Sequence, residues 1–176
     1  MRSADVLEIV GRLESDGIRY WIDGGWGVDA LLEEETRSHD DLDLVITRVQ
    51  SGQAQTALAE LGFAHAREIV PGLPARIVLR DKQGRQVDVH PVVLDPAGDG
   101  WQELDSKAWG LYPAAGLQGK GIIGGQRVPC LTPELQLRHR LGYAWDEHDR
   151  HDMELLAGRF GLALPPEEKA VHPGGV

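Results

Sequence analysis

An apolar run closed by a glycine pair, Trp21-Ile22-Asp23-Gly24-Gly25-Trp26, is followed by His39-Asp40-Asp41-Leu42-Asp43-Leu44-Val45-Ile46, in which two carboxylates interrupt an otherwise apolar strand. Residues i and i+2 of a strand project from one face, so Asp41 and Asp43 point together. Two like charges in a segment that favours burial repel each other and resist desolvation. A hard divalent cation with oxygen ligands removes both problems. The plainer alternative for an isolated Asp-x-Asp is the wet face of an edge strand. The glycine turn upstream and a third carboxylate downstream favour the metal.

That third carboxylate is Asp88 in Gln86-Val87-Asp88-Val89-His90-Pro91, where valines alternate with polar residues as they do in a strand. Ala75-Arg76-Ile77-Val78-Leu79-Arg80-Asp81 precedes it, with Lys82-Gln83-Gly84-Arg85 as the hairpin turn. A neighbouring strand can therefore present Asp41 and Asp43 to Asp88. Three such carboxylates make an oxygen cage for two magnesium ions serving a nucleoside triphosphate.

Gly-Gly at a strand end permits a tight turn, and a helix that starts there offers free amides to phosphate oxygens. An ordinary strand-to-helix loop is the competing account. Gly24, Gly25 and Gly27 lack the last glycine of Gly-x-Gly-x-x-Gly, and no Gly-x-x-x-x-Gly-Lys-Ser/Thr occurs, so neither a dinucleotide fold nor a P-loop is indicated.

Gly24-Gly25, Asp41-Leu42-Asp43 and Asp88 together resemble the signature of the DNA-polymerase-β-type nucleotidyltransferase superfamily. Within it, residues 22–30, 36–44 and 87–91, with Pro129-Cys130-Leu131-Thr132-Pro133-Glu134-Leu135-Gln136 and Asp149-x-x-Asp152, are similar to the antibiotic nucleotidyltransferases that modify lincosamides and the 2″ position of aminoglycosides. The similarity runs over about residues 5 to 162. Many superfamily members carry Gly-Ser at the turn; here Gly-Gly leaves phosphate to the backbone amides.

The resemblance implies an α/β (α+β) fold: a polymerase-β-like palm with a mixed twisted sheet flanked by helices, and a small C-terminal helical annex. It divides the chain into a nucleotidyltransferase core over 1–95, a substrate-binding annex over 96–165 and a loose tail over 166–176. It also implies magnesium-dependent transfer of a nucleoside monophosphate, AMP from ATP, to an antibiotic hydroxyl with release of pyrophosphate. Asp41, Asp43 and Asp88 are then the catalytic residues and the ligands of two Mg2+ ions, and Gly24, Gly25, Trp26, Arg37 and His39 the nucleotide-binding residues. Asp88 is metal ligand, general base or both. A protein-adenylylating toxin and a non-catalytic nucleotide-binding domain are the alternatives; the long annex counts against the first and the complete acid set against the second.

Composition narrows the partners. With 18 basic and 28 acidic side chains the net charge is −10, and no basic stripe for nucleic acid appears. The surplus acid attracts a cationic small molecule. The expected partners are a small-molecule antibiotic acceptor, no nucleic acid, no membrane, and a second copy of the chain in a homodimer. No apolar run approaches membrane-helix length, the acid-containing N-terminus does not read as a signal peptide, and the single Cys130 excludes an internal disulfide, all of which predict a cytoplasmic protein.

The periodicity predicts helices over 3–15 (capped by Ser3), 26–33, 51–61 and 147–158, and one starting at Thr132-Pro133. Strands are predicted at 19–23, 42–47, 63–69, 75–81 and 86–94. Residues 95–130, rich in glycine and proline, read as irregular with a short hairpin at 121–129. His148, Asp149, His151 and Asp152 read as a solvated helix face. His90 contacts the site or packs. Trp101, Trp109, Tyr112 and Trp145 supply aromatic walls or core, and Lys120 is a candidate phosphate contact.

Overall fold

The structure, a computed structural model, describes residues 1–65, 76–104, 108–141 and 144–166. Five α-helices among these residues are α1 (Ser3–Ser15), α2 (Gly24–Leu32), α3 (Ser51–Glu60), α4 (Pro133–Arg138) and α5 (Glu147–Phe160). The strands are β1 (Tyr20–Asp23), β2 (Asp41–Thr47), β3 (Ala64–His65), β4 (Ile77–Arg80), β5 (Gln86–Leu94), β6 (Gly100–Glu103), β7 (Trp109–Tyr112), β8 (Gly119–Ile123) and β9 (Gln126–Cys130). They form one mixed sheet in the order β3-β4-β5-β2-β1-β9-β8, with β6 on the far half of β5 and β7 beyond it. β2–β5 and β1–β9 are parallel, and the remaining pairs are antiparallel.

Alternation along the central strands builds two unequal faces. Leu42, Leu44, Ile46, Val87 and Val89 join the larger cluster, which takes in Val6, Ile9, Val10 and Leu13 of α1, Ala54, Ala57 and Leu58 of α3, and Trp26 and Val28 of α2. The intervening positions Trp21, Val45 and Val92 face a smaller cluster with Tyr112, Leu117, Leu131 and Leu135. The aspartates share the parity of the smaller face.

The expected helices and central strands are present, with shifted edges. Ser3 is the first residue inside α1, and the Asp5 carboxylate accepts the Arg2 amide there, so Ser3 is not the cap. α2 begins at Gly24, two residues before the expected start, because the Asp23 carboxylate accepts the Gly24 N–H and caps it. α5 ends at Phe160 with Gly161 left-handed behind it. The hairpin turn after β4 is present, held by the Asp81 carboxylate on the amides of Gln83 and Arg85. Of the strands expected at 63–69 and 75–81, residues 66–75 lie outside the described residues, as do 167–176 of the tail.

Residues 95–130 bear out the expected hairpin, as β8 and β9, and correct the expectation that the rest is irregular, since they also supply β6 and β7. β8 and β9 meet at Gly124-Gly125, both with positive φ (55° and 82°), the two-residue turn that suits a right-twisted hairpin. β9 then pairs with β1, so the sheet runs on across the 95/96 boundary. Among the described residues no helix is long and apolar enough to cross a membrane.

Candidate active site

At the end of β1 the chain turns from Asp23 into α2 through Gly24, whose φ of +62° disfavours any side chain. A Cβ on Gly24 would strike the Asp43 carboxylate, and one on Gly25 would strike the Arg37 guanidinium and the His39 ring. Both glycines are needed for close approach. The first-turn amides of a helix have no partner within it, so this turn is a place where phosphate oxygens can be received.

Strand register then assembles a row of acids. Asp43 lies opposite Asp23 on β1 and opposite Asp88 on β5, and Asp41 stands two residues along β2 on the same face. Asp88 is fully buried and Asp23 nearly so, while Asp41 and Asp43 are half-buried. Asp88 accepts a hydrogen bond from the Gln86 amide at 2.8 Å and faces Arg76 Nη1 at 3.1 Å. That contact is made by its buried Oδ2, which accepts no further hydrogen bond among the described residues. Burial, partly offset by Arg76 and reinforced by the charges of Asp43 and Asp41, pushes Asp88 up to about 6. Burial and then the charge of Asp43 also raise Asp41.

Two histidines counter the acid row. His90 Nε2 lies 3.0 Å from Asp43 Oδ1. The Tyr112 hydroxyl donates to Gln102 Oε1 (2.8 Å), which turns the Gln102 amide N–H toward His90 Nδ1 (3.2 Å) and leaves Nε2–H for Asp43. Burial works against the charged form of His90, yet Asp43, Asp23 and Asp88 outweigh it and raise its pKa. His139, behind α4, stands 3.6 Å from Asp23. Against the burial that would raise it, His139, His90 and the Gly24 amide hold Asp23 down to about 2.

The donor set suits a hard divalent ion: carboxylate oxygens only, mutually repelling, one of them a buried oxygen met only by the Arg76 guanidinium. Among the described residues no three His, Cys, Asp or Glu side chains yet converge as a finished cage. The reason is visible in the partners: Asp43 is turned to His90, and Asp88 to Gln86 and Arg76.

On the β5–β7 side of the acid row lies a cavity of about 460 Å³ lined by Arg76, His90, Gln102, Leu111, Tyr112 and His139, among others. A larger one, about 540 Å³, opens among Tyr20, Trp21 and Lys120 at the opposite end of β1; no aspartate of the row lines either cavity, but Arg76, His90 and His139 of the first contact Asp88, Asp43 and Asp23. Position beside the perturbed carboxylates, not size, identifies the first as the functional cavity.

The structure thus brings Gly24, Gly25, Arg37 and His39 together at the turn, and Asp41, Asp43 and Asp88 on one sheet face. Trp26 and His39 are both buried, their rings 4.6 Å apart, and His39 Nε2 engages Asp29 at 2.5 Å. Arg37 is clamped to Asp152 by two bonds of 2.8 and 2.6 Å. This corrects the solvated-face reading for Asp152, which is buried; His148 and His151 are exposed as expected. His90 belongs to the site. Tyr112 lines the cavity, whereas Trp101 and Trp109 are exposed and Trp145 donates to the Arg140 carbonyl. Lys120 is removed from the site, on β8. Cys130 is buried, which pushes its thiol up to about 12 and makes it inert. Asp23, Gln102 and His139 were missed; Asp23, last in an apolar strand and directly before the glycines, carried a local signal, and the others carried none.

Comparison with known proteins agrees with this geometry. Residues 5–156 match the family described as aminoglycoside-2″-adenylyltransferase. A lincosamide resistance protein of Staphylococcus haemolyticus is 25% identical over 159 residues, covering 86% of this chain and 92% of that one. A 2″-aminoglycoside nucleotidyltransferase of Klebsiella pneumoniae is 28% identical over 125 residues, covering 71% of this chain and 64% of its own length, just under two thirds. Among solved structures, the lincomycin-bound lincosamide adenylyltransferase LnuA superposes with a TM-score of 0.75 at 25% identity, covering 87% of this chain and 94% of that one. ANT(2″)-Ia in complex with adenylyl-2″-tobramycin superposes at 0.68 with 20% identity, covering 90% and 89%. The fold is therefore that of the polymerase-β-like nucleotidyltransferases.

Proposed function

Since this chain belongs to the aminoglycoside-2″-adenylyltransferase family, a family of antibiotic nucleotidyltransferases, we propose that it transfers AMP from ATP to a hydroxyl of a small antibiotic and releases pyrophosphate. The observation that carries this reading is the register that sets Asp43 between Asp23 and Asp88, one residue's breadth from the Gly24-Gly25 turn. Phosphate and acid row are then served by one short stretch of backbone.

The amides of the α2 start hold the triphosphate, with Arg37 and His39 flanking the turn. Asp41, Asp43 and Asp88 would hold two magnesium ions, which when bound neutralise phosphate charge and acidify the attacking hydroxyl. The acceptor oxygen attacks the α-phosphorus in line, the bond from that phosphorus to the bridging oxygen of the β-phosphate breaks, and pyrophosphate leaves. The hydroxyl proton passes to the Asp88 carboxylate, because an acidified hydroxyl needs a base of only modest proton affinity. His90 keeps Asp43 oriented, itself fixed by Gln102 and Tyr112. The cavity bounded by β5, β6, β7 and α4 receives the acceptor, and the share of its lining that comes from Gln102, Leu104, Leu111, Tyr112, Arg138 and His139 supports a substrate-binding role for the annex.

The test is to incubate protein, ATP, magnesium and a drug panel and to weigh the products. A drug heavier by one nucleoside monophosphate, made by wild type and reduced at least about a thousandfold in Asp88→Ala, is expected. Mass gained by a protein in place of a drug supports the protein-adenylylating alternative, and binding of ATP without any product supports a binding module.

A further inference from the structure

Asp29 is a buried carboxylate that the transfer chemistry does not use. It lies on α2 four residues beyond Gly25, one turn along the same helix face. Its side chain gathers three hydrogen bonds from a segment that has already left the helix. Thr36 donates two to Oδ1, from its amide (3.2 Å) and its hydroxyl (2.7 Å). Oδ2 meets the His39 ring at Nε2, 2.5 Å away, and because a carboxylate oxygen only accepts, Nε2 carries the hydrogen. The Asp29 carbonyl accepts a further bond, from the Glu34 amide at 3.2 Å. Between helix and segment stands Glu33 at a φ of +61°, a left-handed conformation that is strained for a residue with a side chain. That turn sends the chain back along α2, and Asp29 holds it there.

The returning segment delivers two side chains to the phosphate turn. A Cβ on Gly25 would strike both Arg37 Nη2 and His39 Nδ1, so both nitrogens lean on the Gly25 backbone. Each is held from behind by a buried carboxylate, Arg37 by Asp152 and His39 by Asp29. With Nε2 committed to Asp29 and Trp26 tilted against the ring at 4.6 Å, His39 keeps its Nδ1–Cε1 edge toward Gly25.

We propose that Asp29 is a positioning residue for the pyrophosphate end of the nucleotide, acting through Thr36 and His39 without touching substrate. This rests on the transferase reading. In that reading the α-phosphorus sits at the acid row, with the acceptor cavity on the β5–β7 side of it and the Gly24-Gly25 turn at the end of β1, so the two outer phosphates fall on the turn. Binding is tighter when the groups that receive a ligand are in place beforehand, because ordering them at the moment of binding subtracts from the affinity. Asp29 supplies that order by tying the segment that bears Arg37 and His39 to the helix whose first amides face the phosphates. AMP has no outer phosphates and does not depend on it.

The experiment titrates the full chain calorimetrically, in magnesium, with three probes: a non-hydrolysable ATP analogue, inorganic pyrophosphate and AMP. Asp29→Ala should weaken the analogue and pyrophosphate about tenfold and AMP less than about twofold. Thr36→Val, which removes one bond to Asp29 and keeps the ring contact, should weaken the analogue about threefold, and it decides the matter if Asp29→Ala does not fold. His39→Ala should weaken the analogue as well, and adding Asp29→Ala to it should cost clearly less than Asp29→Ala costs alone, since the two act as one unit. No binding of the analogue or pyrophosphate by wild type, an affinity unmoved by the Asp29 and Thr36 substitutions, equal losses for AMP and the analogue, or fully additive losses for Asp29 and His39 overturns the proposal. If the analogue responds as expected but no drug gains a nucleotide, the transferase reading falls and the positioning role stands. If a drug gains AMP while the substitutions leave analogue affinity unmoved, the transferase reading stands and the positioning role falls.

Discussion

Asp88 is folded at a disadvantage to itself. In the unfolded chain its carboxyl ionises near 3.8, whereas in the native protein burial and its acidic neighbours move that to about 6. Ionisation is therefore costlier in the folded state, and the penalty grows as pH rises from about 4 to 6 and is complete above it. At 1.36 kcal/mol per unit this is about 3 kcal/mol at most, and about 2 kcal/mol after local relaxation. Metal-free Asp88→Asn should consequently melt about 4–8 °C above wild type at pH 7.5 and show no gain at pH 4, by calorimetry at both pH values. An equal gain at both would trace the effect to shape instead of charge. The same residue shows what a sequence can and cannot disclose. That Asp41 and Asp43 share a strand face follows from period-two spacing; that Asp88 and Asp23 flank them does not, because which strand lies beside which is decided by tertiary pairing.

At the scale of elements, the central strands and the four longer helices were legible because each keeps one apolar period over its whole length. β6 and β7 were not, because the segment around them, rich in glycine and proline, read as loop, and of β8 and β9 only a short hairpin at 121–129 was legible. The structure gives those glycines a packing purpose. A Cβ on Gly121 would run into the backbone of Ala30, one on Gly119 into that of Cys130 and Leu131, and one on Gly100 would crowd Tyr112. Composition signals the absence of side chains but not its reason, which is the approach of another backbone. Gly121→Val should therefore push β8 away from α2, costing about 3 kcal/mol. Because α2 opens at the phosphate turn, affinity for a non-hydrolysable ATP analogue should fall with it. Gly125→Ala is the comparison: its Cβ meets nothing within 4 Å, so only the strain of its φ of +82° should register, about 1 kcal/mol, with nucleotide affinity unchanged.

Across the whole molecule, two long-range links hold the β1–α2 turn in place. Ile22 of β1 pairs with Cys130 of β9, and Arg37 beside the turn is clamped by Asp152 of α5 across 115 residues. Asp152 is fully buried, so Asp152→Ala strands a guanidinium without its partner. It should cost about 3 kcal/mol and speed amide exchange both in α5 and around residues 36–40, as read by hydrogen-exchange mass spectrometry. Exchange raised in α5 alone would mean that the clamp does not reach the turn. These links also impose a calendar on synthesis. A chain leaving the ribosome N-terminus first has released all of its acid row once Asp88 emerges, with β1, β2 and β5 free to pair. The partner of the other β1 edge emerges only at Cys130, and the clamp on Arg37 only at Asp152. For that interval a nascent chain displays an open strand edge and a charged row without its phosphate turn secured. On the proposed reading, transfer activity arrives late in translation, and a ribosome stalled between the two points holds a product whose acid row is complete but whose Gly24-Gly25 turn is not yet secured.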